Sequence, residues 1–271
     1  MKLRVESVSY SYSYRKGVEA LSDISFSVEQ GTIYGIMGET GSGKSTLLKL
    51  LNGLYTPTKG KIFLDDREYS SITKSTLPFR VGLVFQYPES QLFEESVILD
   101  VAFGPKNKGR SKEEAINDAE KALETVGLKK DKWNKSPFNL SGGEKRRAAL
   151  AGVIAMDPEV LVLDEIAAGL DKEGKDRIFS VLEKLKKEGK TIIFVSHSPD
   201  DVARYAERVL VLNKGKLKAE GEVREVFSSP SVPKTQSEVI ASEMREKGIN
   251  LPSPILTLEE LASEIVKVVD K

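Results

Sequence analysis

The chain has 271 residues, of which 39% are hydrophobic and 30% are charged, as in soluble globular proteins. The length suffices for one large domain with an appendage or for two small domains. Lys plus Arg and Asp plus Glu number 41 each, so the formal net charge is zero and bulk charge does not favour non-specific nucleic-acid binding.

The composition also excludes several kinds of site. There is no cysteine, which rules out disulfides, thiolate nucleophiles and zinc–thiolate centres and agrees with a reducing compartment. No apolar run approaches the roughly 20 residues of a transmembrane helix, and the first ten residues lack the apolar core of a secretory signal. We therefore expect neither a membrane span nor a signal peptide.

Near the start of the chain, apolar or aromatic residues alternate with polar ones. This pattern predicts two strands with one buried face each, in an antiparallel element. The alternating residues are Val8, Tyr10, Tyr12 and Tyr14, and then Ile24, Phe26 and Val28. Three apolar runs, at residues 32–37, 160–164 and 191–196, predict strands buried on both faces, as in a parallel sheet. Helical patterns separate these runs, so the predicted fold class is α/β.

Between the first two buried runs we expect a long, mostly helical insertion. Its clearest helix begins with the capping box Ser111 and Glu114 and ends at Gly127. Residues 209–221 predict a hairpin turning at residues 213–215. A helical tail follows from about residue 222. Its last helix is capped by Thr257, with Glu260 three residues later, and carries an apolar stripe: Leu258, Leu261, Ala262, Ile265 and Val268 or Val269.

The segment at residues 38–46, GETGSGKST, matches the phosphate-loop pattern G-x-x-x-x-G-K-[ST]. Its glycines let backbone N–H groups point at a polyphosphate, and the following helix N-terminus adds a positive field. Lys44 supplies a mobile charge for the terminal phosphates, and the Ser45 hydroxyl is placed to ligate Mg²⁺. A Gly-rich turn without ligand is the alternative, which the strand–loop–helix context disfavours. The predicted phosphate-binding residues are Gly38, Glu39, Thr40, Gly41, Ser42, Gly43, Lys44, Ser45 and Thr46.

The run VLVLDE ends in the carboxylates Asp164 and Glu165. Charges at the tip of a buried strand need a partner, because burying an unpaired charge is costly. We expect Asp164 to orient the Mg²⁺ held at the phosphate loop. The next side chain in a strand points the other way, so Glu165 is the candidate base that activates water for attack on the terminal phosphate. Two solvated acids at a strand end are the alternative.

His197, the only histidine, follows the third buried run. Open parallel sheets bind ligands at the carboxyl ends of their strands. An imidazole there can donate to the γ-phosphate and hold the attacking water and Glu165 in place. A surface histidine fits the position equally well.

Residues 140–147, LSGGEKRR, resemble the signature of ATP-binding cassette (ABC) proteins. The order of the other motifs is also similar to that family: an N-terminal aromatic, the phosphate loop, Gln86, VLVLDE, GLD at 169–171 and His197. The resemblance covers about residues 3–221. It implies a P-loop NTPase of ABC type at residues 1–221, with a helical subdomain at about 88–158, and a helical tail at 222–271 that is expected to serve in dimerisation.

The resemblance implies roles for residues outside the phosphate loop. Tyr12 would stack on adenine, with Tyr10 and Tyr14 as neighbouring alternatives. Gln86 would touch Mg²⁺ or the attacking water and complete the catalytic set with Lys44, Glu165 and His197.

The signature residues Ser141, Gly142 and Gly143 would contact the γ-phosphate of ATP held by an opposite subunit, with Asp171 across that interface. The complete site would then form only in a head-to-tail dimer. Ser141 with Glu144 also fits a capping box, and both interpretations can hold because a capped helix start binds anions. The basic residues at 145–147 are expected to form a solvated or partner-facing surface rather than a nucleic-acid patch.

A narrower resemblance lies in residues 81–107, which are similar to the ATPases of energy-coupling factor (ECF) importers for vitamins and metals, including the cobalt and nickel ATPases. In that family this segment forms a groove for coupling helices of a membrane-embedded subunit. Two similar ATPases often pair, and their C-terminal tails help to clamp the dimer. The stripe of the last helix suits such a clamp or docking onto its own ATPase domain.

One departure from the family concerns Ile166, Ala167 and Ala168, because Pro-Thr usually follows the catalytic glutamate. The carboxylate itself is retained, so hydrolysis is still expected.

The sequence thus predicts an ATP- and Mg²⁺-dependent ATPase subunit, peripheral to the cytoplasmic face of the inner membrane, that powers import of a vitamin or metal ion. Its expected partners are a second ABC ATPase, a polytopic transmembrane coupling protein and, indirectly, a substrate-capturing membrane subunit, with no nucleic acid. The alternatives are the ATPase of a binding-protein-dependent importer, a soluble non-transport ABC protein and a non-hydrolysing nucleotide binder.

Overall fold

The computed structural model describes residues 2–12 and 18–269, in which strands and helices alternate over most of the length. The strands are β1 (Leu3–Ser11), β2 (Glu19–Val28), β3 (Ile33–Gly38), β4 (Lys59–Leu64), β5 (Arg67–Glu68), β6 (Val81–Val84), β7 (Val160–Asp164), β8 (Thr191–Val195), β9 (Arg208–Asn213) and β10 (Lys216–Glu222). The helices are α1 (Lys44–Leu51), α2 (Leu77–Arg80), α3 (Val97–Asn107), α4 (Lys112–Thr125), α5 (Lys130–Trp133), α6 (Gly142–Ile154), α7 (Lys172–Lys187), α8 (Pro199–Tyr205), α9 (Val223–Phe227), α10 (Gln236–Glu246) and α11 (Leu258–Val269). Short 3₁₀ turns lie at Tyr69–Ser71, Pro88–Gln91 and Pro137–Asn139.

The three buried runs lie in one sheet with the order β10-β9-β3-β8-β7-β6, which confirms the predicted parallel sheet. Its strands are parallel except for the edge strand β10. Every residue of β7 and β8 is buried, because both faces of the sheet are covered. The carboxyl ends of β3, β7 and β8 therefore lie side by side, and the motifs that follow these strands meet at one edge.

A second, antiparallel sheet has the order β2-β1-β4-β5 and confirms the predicted N-terminal element. Strand β1 ends at Ser11, so Tyr12 follows the strand, and Tyr14 lies outside the described residues. The expectation of a mostly helical insertion is wrong for residues 59–84, where β4, β5 and β6 form. Their sequence signals are weak, because β6 has only four residues and β4 begins with the polar stretch KGK.

Helix α1 lies between the two sheets and anchors the phosphate loop. Its buried face packs against the antiparallel sheet and against one face of the parallel sheet. The other face of the parallel sheet is covered by α3, α4, α6, α7 and α8. The buried leucines of α1 are Leu47, Leu48, Leu50 and Leu51.

Local patterns located the helix ends and the hairpin correctly. The capping box of Ser111 and Glu114 opens α4, and Gly127 follows its end with a φ of 67°. Strands β9 and β10 form the expected hairpin, whose turn residues Lys214 and Gly215 have φ angles of 48° and 75°. Within the described ranges, no helix is long and apolar enough to cross a membrane.

The tail comprises α9, α10 and α11, and its apolar stripe is divided between two environments. Leu261 is buried in a small cluster with Ala241 of α10 and the preceding loop, whereas Leu258 is 58% exposed, as is Val266 beside the stripe at 57%. The Thr257 hydroxyl accepts a hydrogen bond of 3.1 Å from the Glu260 N–H, as the predicted cap requires. One side of α11 therefore packs within the tail, and the other side faces solvent.

Polar contacts join the tail to the rest of the chain. The Arg204 side chain of α8 pairs with Glu259 of α11 at 2.9 Å. The Asp200 carboxylate accepts a hydrogen bond of 2.9 Å from the Gln236 N–H at the start of α10. Both contacts involve α8, which directly follows His197 and Ser198.

Candidate functional site

The phosphate loop joins β3 to α1, and two of its glycines are required by close packing. Gly38 has a φ of 152°, and a Cβ there would lie 2.3 Å from the Leu212 carbonyl oxygen. Gly43 has a φ of 104°, and its Cβ would lie 2.6 Å from a Leu21 methyl group. The loop thus curls tightly against strands β2 and β9, an arrangement that residues with a side chain would disrupt.

The Lys44 side chain turns back into this loop. Its Nζ donates hydrogen bonds of 2.7 Å to the Gly38 carbonyl and 2.9 Å to the Glu39 carbonyl. Burial lowers the pKa of the Lys44 ammonium, against the opposing effect of the Glu165 and Asp164 carboxylates. The ammonium is held where a phosphate in the loop would meet it.

Asp164, the last residue of β7, is buried and adjacent to the start of α1. Burial raises the pKa of its carboxyl group, and a hydrogen bond with the Ser45 side chain opposes this rise. The structure therefore brings together the hydroxyl and the carboxylate that were predicted to serve one Mg²⁺.

Glu165 lies outside the strand, which corrects the expectation that strand alternation alone would orient it. Strand β7 ends at Asp164, and Glu165 has a φ of 51°, in the left-handed region. The Gln86 Nε2 donates a hydrogen bond of 2.9 Å to its Oε2, and the His197 Nε2 contacts its Oε1. Gln86 and His197 thus converge on the Glu165 carboxylate.

Tyr12, predicted to stack on adenine, lies beside the phosphate loop. Its hydroxyl is 2.8 Å from the Thr46 Oγ1. Tyr10 instead stacks on Tyr55 at a centroid distance of 5.1 Å and an interplanar angle of 3°. Tyr12 lines the cavity beside the phosphate loop and Tyr10 does not, whereas Tyr14 lies outside the described residues.

A cavity of about 580 Å³ collects most of these side chains. It also includes residues that no motif indicated, because long-range packing places them there. The Gly215 N–H donates to the Ser42 carbonyl at 3.0 Å, which brings the β9–β10 turn to the phosphate loop. The predicted residues lining it are Tyr12, Thr40, Gly41, Gly43, Lys44, Ser45, Thr46, Gln86, Glu165 and His197, and the unforeseen ones are Val18, Glu19, Ala20, Lys214 and Gly215.

The signature residues lie elsewhere, in a separate cavity of about 910 Å³ lined by Ser141, Gly143, Asp171 and several basic residues. Ser141 caps α6 in the predicted capping box with Glu144. Asp171 caps α7 and accepts a hydrogen bond of 2.8 Å from the Gly174 N–H. Neither Ser141 nor Asp171 lines the cavity of the chain's own phosphate loop.

The expected solvated surface at residues 145–147 is wrong for Arg146, which is only 9% exposed. Its guanidinium donates to the Ile166 and Ala168 carbonyls at 3.3 and 2.6 Å and pairs with Glu89 at 3.4 Å. No local pattern indicated this burial, because the partners come from distant segments.

Comparisons with known proteins identify the family of this chain. The model of the ABC transporter family matches residues 21–168. An energy-coupling factor transporter ATP-binding protein, EcfA2, of Caldanaerobacter subterraneus subsp. tengcongensis is 44% identical over 98% of this chain and 97% of its own length. A protein of the same name from Clostridioides difficile is 45% identical over 96% of this chain and 95% of its length.

Solved structures show the same fold. CbiO1 of Clostridium perfringens, part of the ABC transporter complex cbiONQ, has a TM-score of 0.75 and 35% identity, over 93% of this chain and 95% of that chain. The dimeric ATP-binding cassette MJ0796 bound to ADP and Pi has a TM-score of 0.73 and 26% identity, over 82% and 99%. The chain therefore belongs to the ABC transporter ATPases and, among them, to the energy-coupling factor transporter ATP-binding proteins.

Proposed function

We propose that this chain is the ATP-hydrolysing, energy-coupling subunit of an ECF-type importer for a vitamin or a transition-metal ion. The observation that carries the proposal is the convergence of Gln86 and His197 on the Glu165 carboxylate, within the cavity that contains Lys44 and Ser45. The high identity to energy-coupling factor ATP-binding proteins supports the importer class.

In the proposed reaction, a water oxygen bonds to the γ-phosphorus while the bond from that phosphorus to the bridging oxygen breaks, which yields ADP and inorganic phosphate. Glu165 accepts the proton that the water loses. Gln86 and His197 contact different oxygens of that carboxylate and so fix its orientation. Lys44 and the N–H groups of the phosphate loop hold the phosphates, and Tyr12 stacks on the adenine ring.

Ser45, Gln86 and Asp164 fit a Mg²⁺ ion, which when bound would neutralise charge on the phosphates. Their hydroxyl, amide carbonyl and carboxylate oxygens are the hard ligands that this ion prefers. Ser45 and Asp164 are already hydrogen-bonded to each other, so their oxygens lie close enough to serve one ion.

We further propose that the complete site forms between two copies or between this chain and a similar ATPase. Ser141, Gly143 and Asp171 line a cavity separate from the phosphate loop, and Gly142 lies between the first two, so they require a second subunit to reach a γ-phosphate. The capped N-terminus of α6 and the nearby Arg147 side chain offer hydrogen-bond donors for it. The solved dimer of a related cassette bound to ADP and Pi supports this arrangement.

The proposed docking surface for the transmembrane coupling subunit lies after Gln86. Tyr87, Phe93 and Phe103 are 60%, 59% and 41% exposed, and the two phenylalanine rings meet edge to face at 5.0 Å. Exposed aromatic clusters of this kind mark protein interfaces. Docking there would place the chain at the cytoplasmic face of the membrane, with the substrate-capturing subunit reached only through the coupling subunit.

The ATPase part is tested by measuring nucleotide binding and phosphate release with Mg²⁺ for the wild type and for Lys44→Ala. We expect the variant to lose both activities, because it lacks the charge between the terminal phosphates. Lys74→Ala, at an exposed loop lysine, is the matched control and should retain both. A Lys44→Ala variant indistinguishable from the wild type would overturn the proposed site.

The importer part is tested by a pull-down of the tagged chain from native membranes in mild detergent. We expect a similar ATPase, a polytopic membrane protein and small hydrophobic capture subunits in the eluate. Phe93→Ser should lose the polytopic protein while Val239→Ser, at an exposed valine of α10, should retain it. Recovery of a separate substrate-binding protein, of ribosomes or of DNA would instead support one of the alternative functions.

A further inference from the structure

Arg146 links three segments of the chain that surround the proposed catalytic carboxylate. It lies in the first turns of α6, five residues after Ser141. One guanidinium nitrogen, Nη1, donates to the Ile166 and Ala168 carbonyls, in the loop that follows Glu165. The other, Nη2, donates to Glu89 in the 3₁₀ turn Pro88–Gln91, at 3.4 Å.

These contacts close a ring of connections. Gln86 is hydrogen-bonded to Glu165 at 2.9 Å, and Arg146 joins Glu89 to the carbonyls that follow Glu165. The segment from 86 to 89 and the segment from 165 to 168 are therefore tied together at both of their ends. Any displacement of the first segment must move the second segment or break one of the two links.

The chemistry of the guanidinium suits this role. Its planar fork serves acceptors in two directions at once, whereas an ammonium on a flexible stem is a single point charge. Ile166 and Ala167 stand where the family usually carries Pro-Thr, and the Ile166 and Ala168 carbonyls of this altered loop are the acceptors. The loop's path toward Asp171 is therefore fixed by α6 and not by a proline.

The ion pair with Glu89 has capacity left for a second bond. The Arg146 Nε and the Glu89 Oε2 are both buried and have no hydrogen-bond partner among the residues that the structure describes. A two-bond fork between guanidinium and carboxylate would satisfy both atoms, and an unpaired buried polar atom is costly. A small approach of the 88–91 turn to α6 would thus be favoured.

We propose that Arg146 is a positioning residue for hydrolysis, which couples the membrane-facing segment after Gln86 to the placement of Glu165 and Asp171. The proposal deepens the proposed function and rests on it. If the 88–91 turn approached α6, Glu89 would shift the guanidinium. The hydrogen bonds from the guanidinium to the Ile166 and Ala168 carbonyls would then move the loop that follows Glu165.

The test compares steady-state hydrolysis and ATP affinity of the full chain for Arg146→Lys, Glu89→Ala and the double variant. We expect Arg146→Lys to lower kcat about tenfold with the ATP Kd within about twofold, because a misplaced catalytic group costs rate and not ground-state binding. Glu89→Ala should lower kcat about threefold, and the double variant should be no slower than Arg146→Lys, since both act through one link.

The matched control is Arg80→Lys, because Arg80 is also partly buried and pairs with a glutamate, Glu159, through Nη2 at 2.8 Å. That pair lies at the amino ends of β6 and β7, whereas Gln86 and Glu165 follow the carboxyl ends of the same strands. Its loss should therefore lower stability and leave kcat within about twofold. A merely structural Arg146 would behave like this control.

The proposal is overturned if Arg146→Lys and Glu89→Ala both keep wild-type kcat, or if their effects multiply in the double variant. Should Arg146→Lys fail to fold, the partly exposed Glu89 decides alone, and a wild-type kcat in Glu89→Ala overturns the proposal. A wild type that binds no ATP would instead contradict the proposed function, so the two failures are distinguishable.

Discussion

The side-chain amide of Gln86 donates a 2.9 Å hydrogen bond to one carboxylate oxygen of Glu165, and the imidazole of His197 contacts the other oxygen. These residues follow three neighbouring strands, β6, β7 and β8. The carboxylate is thus held from both sides by groups whose positions depend on different loops. A change in either loop would alter the orientation of the proposed base.

Glu165→Gln is expected to lower phosphate release at least about 100-fold, because the amide cannot accept the proton of the attacking water. ATP binding should be retained, since Lys44 and the phosphate loop are untouched. Single-turnover phosphate release and equilibrium binding of ATP measure the two effects separately. Glu188→Gln, at the end of α7, is the matched control and should retain both phosphate release and ATP binding.

Tyr12→Ala is expected to raise the Kd for ATP by about 10- to 100-fold, the loss typical of one base stacked on an aromatic side chain. Tyr12→Phe keeps the ring and loses the contact with the Thr46 hydroxyl, so it should bind nearly as the wild type does. Fluorescence titration with ATP and with inorganic triphosphate measures the base-dependent part. Equal losses in both variants would show that the hydroxyl, and not the ring, is needed.

The parts of the site that follow from local sequence were predictable. The phosphate loop depends on the order of its own residues, and Asp164 and Glu165 end a run whose burial is evident from composition alone. The capping boxes at Ser111 and Ser141 also need only residues three positions apart.

The rest depends on packing between distant segments, which no local pattern encodes. Arg146 looks like one of three equivalent basic residues, and only the position of the 166–168 loop shows that it is buried. Lys214 enters the nucleotide cavity because the Gly215 N–H reaches the Ser42 carbonyl. Strand β6 is not predictable from the sequence, because four buried residues are too few to show an alternation of apolar and polar side chains.

The capping box of Ser141 and Glu144 predicts a pH-dependent contribution to stability. The Ser141 backbone N–H donates to the Glu144 carboxylate at 2.9 Å and is the main cause that lowers the pKa of this carboxyl below 4.5. A lowered pKa in the folded state means that the charged form stabilises the fold above the unfolded pKa. That contribution is lost as the pH falls through the folded pKa.

Glu144→Gln should therefore lower the free energy of unfolding at neutral pH by about 0.5 kcal/mol, at the low end for caps because the carboxylate is screened by solvent. The difference from the wild type should shrink on acidification below about pH 4. Urea unfolding at several pH values measures it. Glu113→Gln, an exposed first-turn acid of α4 outside its capping box, should show no comparable trend, and a difference that grows with acid would contradict the assignment.

The two sides of α11 predict two separable defects. Leu261 is 5% exposed within the tail cluster, so Leu261→Ala should destabilise the tail by about 2–4 kcal/mol, as for other buried leucines. Leu258 and Val266 are more than half exposed, so changing both to Ser should leave the thermal midpoint nearly unchanged. If this exposed side clamps a second subunit, the double serine variant should shift the monomer–dimer equilibrium toward monomer in sedimentation velocity with ATP present. An unchanged dimer with an unchanged midpoint would remove the clamp and leave α11 as a support for α10 and α8 alone.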